Sequence, residues 1–165
     1  IKNTRGFPVD KNFLPIQHSA KDKEDLFFEF DEYCLLVEVT FKTSGSQLKD
    51  EVESVFRHTV NKIKKYKKKP VYCLFLAPKI NINLSNSFKG NYFLSENEAI
   101  SGNIIPMSHQ QFTKLFSELF HKKKILTPLI LKDIFDKILE NKNNQKTKEW
   151  LICINNTIDI VIKNT

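Results

Sequence analysis

Three acids, Asp25, Glu38 and Glu51, stand thirteen residues apart in the stretch from Gln17 to His58. Carboxylates gathered in this way can hold a hard divalent cation or exchange protons with a substrate. The middle acid is the informative one. It lies within Tyr33-Cys-Leu-Leu-Val-Glu-Val-Thr-Phe41, a run of strand formers in which a carboxylate must be satisfied or functional. His58 follows Glu51 by seven residues, close to two helical turns, and Lys62 continues along the same flank.

Positioning these groups requires a hairpin and a helix. Leu26-Phe-Phe-Glu-Phe30 alternates into Asp31-Glu32, and the second apolar run follows at once, as in an antiparallel hairpin. If Phe30 faces Tyr33, Asp25 lies opposite Glu38, with Cβ atoms about 4.5–5.5 Å apart. Carboxylates that close repel each other unless a cation or a proton lies between them. Thr40 shares the face of Glu38, while Leu35, Val37, Val39 and Phe41 are expected to face the core. Gly45 closes this unit. From Gln47 to Tyr66 the period becomes helical through Leu48, Val52, Val55, Phe56, Thr59, Ile63 and Tyr66, and Pro70 ends the segment. Packed back on the hairpin, such a helix brings Glu51 and His58 toward the other two acids. Mg²⁺ is commonly held by one or two carboxylates together with substrate phosphate and water, and there it activates water and offsets charge building on a scissile phosphate. Each residue also has a plainer reading. An acid in a Lys-rich chain is usually a solvated surface group, Glu38 can be a satisfied structural carboxylate, and Lys62 to Lys69 can be a solvated helix end.

The remaining chain reads as α/β, a mixed central sheet flanked by helices. The first twenty residues, held extended by Pro8 and Pro15, form a lead-in or loop. Val71 to Ala77 is a buried central strand and Asn103 to Met107 a brief edge strand. Asn81 to Gly102 reads mainly as loop, with a short helix near Phe88 to Leu94. Ser108 and Gln111 form a capping box that opens a helix to about His121, and Thr127-Pro128 opens another. The segment from Lys148 to Lys163 fits either a helix or a hairpin turning at Asn155-Asn156.

At 165 residues the chain is expected to form one domain, residues 1–165, with residues upstream of Ile1 left open by the missing initiating Met. Cys34, Cys73 and Cys153 lie in apolar surroundings and read as buried free thiols in a reducing, cytoplasmic compartment. No apolar run approaches a membrane span. A net charge of +7 points weakly to an anionic partner.

The segments Leu14-Pro-Ile-Gln-His-Ser-Ala20, Lys23-Glu-Asp25, Leu36-Val-Glu-Val-Thr40 and Arg57-His58 together resemble the catalytic domain of AlwI-like Type IIS restriction and nicking endonucleases, within the PD-(D/E)XK nuclease superfamily. The resemblance is close over residues 14–80 and looser beyond. It implies a restriction-endonuclease-like fold and a Mg²⁺-dependent endonuclease acting on double-stranded DNA, with Mn²⁺ able to substitute. Carried over by position, Asp25 and Glu38 are the metal-binding acids, Glu51 a further acid at the metal, and His58 a helper. Lys42, Lys62 and Lys65 are the lysines expected to meet DNA phosphates. Two departures stand out. The superfamily lysine two residues after the strand acid is Thr40 here, so Lys42, Glu51, Lys62 or a metal-bound water must compensate. Relatives also supply an acid from an upstream helix, expected before Ile1. Because 165 residues leave no room for a target-recognition domain, the resemblance implies the small catalytic subunit of a heterodimer, cutting one strand while a larger subunit reads the sequence. The rival readings are a noncatalytic DNA-binding or assembly module, and a repair or junction nuclease.

Overall fold

The structure, a computed structural model, describes residues 3–5, 24–43, 46–90, 92–94 and 99–164, and side chains within 24–43, 51–90 and 99–164. In chain order the elements are β1 (Asn3–Arg5), β2 (Leu26–Glu29), β3 (Cys34–Val39), α1 (Ser46–Lys65), β4 (Val71–Ala77), α2 (Ile82–Gly90), β5 (Tyr92–Leu94), β6 (Ala99–Ser101), β7 (Ile104–Ser108), α3 (His109–His121), α4 (Pro128–Glu140) and α5 (Thr147–Asn164). Five strands form a mixed sheet in the order β1-β2-β3-β4-β7, and β5 and β6 form a separate ribbon. The two pairings among β1, β2 and β3 are antiparallel; β3 with β4 and β4 with β7 are parallel.

The hairpin adopts the register its sequence suggests. Leu26 opposes Val37 and Glu29 opposes Cys34, and Phe30 N–H donates to Tyr33 O at 2.9 Å. Both faces of the sheet are covered. On one side Leu35, Val37, Tyr72, Leu74, Leu76, Ile105 and Met107 pack against α3, α4 and α5. On the other Cys34, Leu36, Cys73, Phe75 and Ile104 pack against α1 and α2. The expected division of β3 into one core side and one site side is therefore incomplete, because a strand in the middle of a sheet with helices on both faces is buried twice. Phe41, expected in the core, is 82% exposed. β3 ends two residues earlier, and the Phe41 ring stands T-shaped to His109 at a centroid distance of 5.6 Å.

The α1 helix lies on the face that carries Glu38, held by Val55, Phe56 and Val60. Gly102 permits its close approach: a Cβ there would stand 3.0 Å from Phe56 Cε2. Between β4 and β7 the chain is more ordered than its Asn- and Ser-rich composition suggests. The Asn81 side chain accepts from Asn83 N–H at 2.8 Å, and Leu84 and Phe88, one turn apart, bury themselves to form α2. The short helix thus ends at Gly90, and Tyr92 to Leu94 is a strand. β1 is likewise a strand where a lead-in was expected. The capping box of α3 has both its hydrogen bonds. α5 is one continuous helix, with Trp150, Ile154 and Ile158 facing inward, so the hairpin alternative is excluded. Cys34 and Cys73 are buried free thiols, whereas Cys153 is only half-buried. Gly45 and Leu14 to Lys23 lie outside the described residues. Among the described residues no helix is long and apolar enough to cross a membrane.

Candidate metal centre

The acids meet where β2 begins and β3 ends. Leaving β2 toward its start, the chain places Asp25 so that its Oδ2 accepts the Val39 N–H at 2.7 Å. That bond uses a strand-end donor that the ladder leaves open and fixes the Asp25 carboxylate across from Glu38. Glu38 is 8% exposed, and its Oε1 lies 2.8 Å from Nδ1 of His58, which comes from the second half of α1. With Glu38 ionised, Nδ1–H donates; Nε2 of the same ring is buried and without a hydrogen-bond partner among the described residues.

Glu51 approaches by a different route. Thr40 Oγ1 donates to Glu51 Oε1 at 3.2 Å and itself accepts the Lys42 N–H at 3.2 Å, while Lys42 Nζ stands 3.4 Å from the same Glu51 oxygen. Thr40, where the superfamily pattern has lysine, is thus the hydroxyl that orients a carboxylate, and the cation arrives two residues later. Lys62 is engaged elsewhere. Its ammonium pairs with Glu24 at 2.8 Å and lies 3.8 Å above the Phe27 ring. Lys65 does not join the cluster; it is exposed at the end of α1.

Burial raises the pKa of both members of the pair. For Asp25, burial outweighs the Val39 N–H, and repulsion from Glu51 adds to the rise while His58 opposes it. For Glu38, burial again comes first, His58 opposes it by hydrogen bond and charge, and Asp25 and Glu24 push upward. Neighbouring negative charge thus works against ionisation of Asp25 and of Glu38. Among the described residues, no group of three or more His, Cys, Asp or Glu side chains is arranged to hold a metal ion. Two oxygen-donating carboxylates that repel each other still fit a hard divalent cation of the kind that takes its other ligands from substrate and water.

Glu24 was not anticipated as part of this environment. It is 5% exposed and raises the pKa of Glu38. The signal was the Glu24-Asp25 doublet: in a strand, neighbours point to opposite sides, so a lone alternation rule assigns Glu24 away from the site. Because Glu24 precedes β2, that rule does not apply to it.

The family model described as AlwI restriction endonuclease matches residues 1–115. Among solved structures, the small subunit (R.BspD6I2) of the heterodimeric restriction endonuclease R.BspD6I is similar, with a TM-score of 0.78 and 27% sequence identity over 93% of this chain and 78% of that one. No curated protein matches. A family match over well more than half the chain, on a sheet and helices laid out as in that small subunit, establishes the relationship: this chain belongs to the AlwI restriction endonuclease family, of PD-(D/E)XK type.

Proposed function

We propose that the protein is the catalytic subunit of a Mg²⁺-dependent DNA endonuclease that hydrolyses a phosphodiester in one strand while a larger partner subunit reads the sequence. The observation that carries this reading is the pairing of Asp25 and Glu38 on one face of the hairpin, each carboxylate fixed by its own partner, Val39 N–H and His58. Asp25 and Glu38 are the residues that would hold the cation. Bound there, a divalent ion supplies charge neutralisation at the scissile phosphate and makes water more acidic. The protein's own groups do the rest. His58 holds the Glu38 carboxylate in one orientation, Thr40 aims Glu51, and Lys42 sets a positive charge beside Glu51 where an attacking water must lose a proton. Glu51, oriented by Thr40, is assigned as the base that would take that proton, and Lys42 takes over the electrostatic duty that Thr40 cannot perform.

The test is nicking of supercoiled plasmid carrying the target site, with Mg²⁺ and the recognition subunit. Asp25→Asn and Glu38→Gln are each expected to lower the rate about 1,000-fold, a loss of roughly 4 kcal/mol of transition-state stabilisation. Variants that cut as fast as the parent would remove the assignment. A noncatalytic DNA-binding module is the reading that Thr40 favours, and a parent that binds but never nicks would establish it.

A further inference from the structure

The outward side of α1 and the turn after it carry a ribbon of cations. Arg57, Lys64, Lys65, Lys67 and Lys68 are all exposed. Interleaved with them, Lys62 and Lys69 turn inward to Glu24 at 2.8 Å and Glu29 at 3.0 Å. The inward pair ties α1 and the turn after it to the hairpin, and the outward set stands at the surface. Lysines in a last helical turn offset the helix dipole, which accounts for Lys65 but not for Lys67 and Lys68 beyond the helix end.

Position gives the ribbon a direction. Lys65 falls seven residues after His58 and fourteen after Glu51, on the flank that carries both. At 1.5 Å per residue it stands about 10 Å along the axis from His58 and about 21 Å from Glu51. Those lengths correspond to about three and about six phosphates of one strand in a DNA duplex.

We propose that the DNA duplex lies along α1, so that the strand engaged at the acid cluster has its flanking phosphates held by Lys65, Lys67 and Lys68. The identity of the ligand rests on the nuclease reading above; the path rests on where the cations stand. The duplex therefore runs parallel to α1, from the acid cluster toward the exposed lysines at the end of the helix, rather than across the strand ends.

The experiment requires neither cleavage nor a partner. A fluorescein-labelled duplex of about 20 base pairs is titrated with the protein in EDTA, by anisotropy, between about 50 and 200 mM KCl. The triple variant Lys65→Ala, Lys67→Ala, Lys68→Ala is expected to bind more than about tenfold more weakly. It should flatten the slope of log affinity against log salt by about 2–3, or about 0.9 for each phosphate that is no longer neutralised. The corresponding triple Arg variant should restore the slope. A control triple, Lys124→Ala, Lys148→Ala, Lys163→Ala, removes the same charge from exposed sites elsewhere and should leave the slope unchanged. Equal losses in both alanine triples, no loss in the α1 triple, or no binding by the parent at the lowest salt would each overturn the proposal. The two readings fail separately. A wrong path leaves the α1 triple binding like a parent that still nicks, and a wrong nuclease assignment leaves salt-sensitive binding with no dependence of nicking on Asp25 or Glu38.

Discussion

Removing His58 should produce a defect whose size depends on pH, because Glu38 has a second way to relieve its burial. His58 Nδ1 is the side-chain hydrogen-bond partner of a carboxylate that is 8% exposed. A hydrogen bond to a charged group is typically worth about 1.5–3 kcal/mol, and a buried carboxylate that loses it keeps the full desolvation penalty. Glu38 is not fully trapped. Its pKa is already raised by burial, and without His58, which opposes that rise, it climbs further until the carboxyl takes up a proton. A carboxyl whose folded pKa lies above its unfolded value contributes stability that is present at low pH and lost as pH rises through the folded pKa. The cost of His58→Ala should therefore approach about 3 kcal/mol near pH 8, equivalent to about 6–12 °C in Tm for a chain of this size. Near pH 5 it should shrink toward the cost of the cavity alone, roughly 1–2 kcal/mol. The assay is urea unfolding followed by circular dichroism at both pH values, repeated in a Glu38→Gln background, where the cavity is the same but no charge can be stranded. The same destabilisation at both pH values, or an undiminished one in the Gln background, would falsify the claim that His58 acts by compensating Glu38.

Two further outcomes follow from the same cluster. Mn²⁺ at about a hundred times its dissociation constant should stabilise the protein by about 2.7 kcal/mol, or about 5–11 °C in Tm. Asp25→Asn and Glu38→Gln should each erase that shift while raising the metal-free Tm at pH 8, and a shift that survives both substitutions, measured by differential scanning fluorimetry, counts against a cation between them. Lys42→Ala should lower single-turnover nicking by about 10²-fold with duplex affinity nearly unchanged, whereas Lys42→Arg should keep much of the rate; loss of affinity without loss of rate would reduce Lys42 to a phosphate-binding group.

Local rules made several elements legible in the sequence. The hairpin register follows from a short turn between two apolar runs, and it leaves Asp25 just before Leu26, which pairs with Val37, so that Asp25 reaches the end of β3 that carries Glu38. Ser108 with Gln111, and Thr127 with Pro128, are caps whose hydrogen bonds form between residues three apart. What stayed hidden depends on partners distant in the chain. β1 is a strand because β2 offers it an edge. α2 is a helix because Leu84 and Phe88 find a core built by α1 and β4. Phe41 reads as core by alternation alone, but alternation holds only as far as the strand does. The inward turn of Lys62 to Glu24 needs the helix and hairpin in contact before either charge has a reason to be buried.

The double burial of β3 changes what its acid means for folding. In a strand with one wet face, a slip by one residue turns apolar side chains out to water and is rejected on that ground. Here Cys34 and Leu36 on one side and Leu35 and Val37 on the other are all buried, so hydrophobicity alone barely distinguishes the native pairing from its neighbour. Glu38 does distinguish them. A one-residue slip would drive its carboxylate into the apolar face shared with Leu74 and Leu76 and strand it away from His58, while Asp25 would be parted from the Val39 N–H. The residue proposed to hold the cation is also the mark by which the central strand finds its alignment, and an insertion between Tyr33 and Glu38 should cost the protein its sheet before any activity is measured.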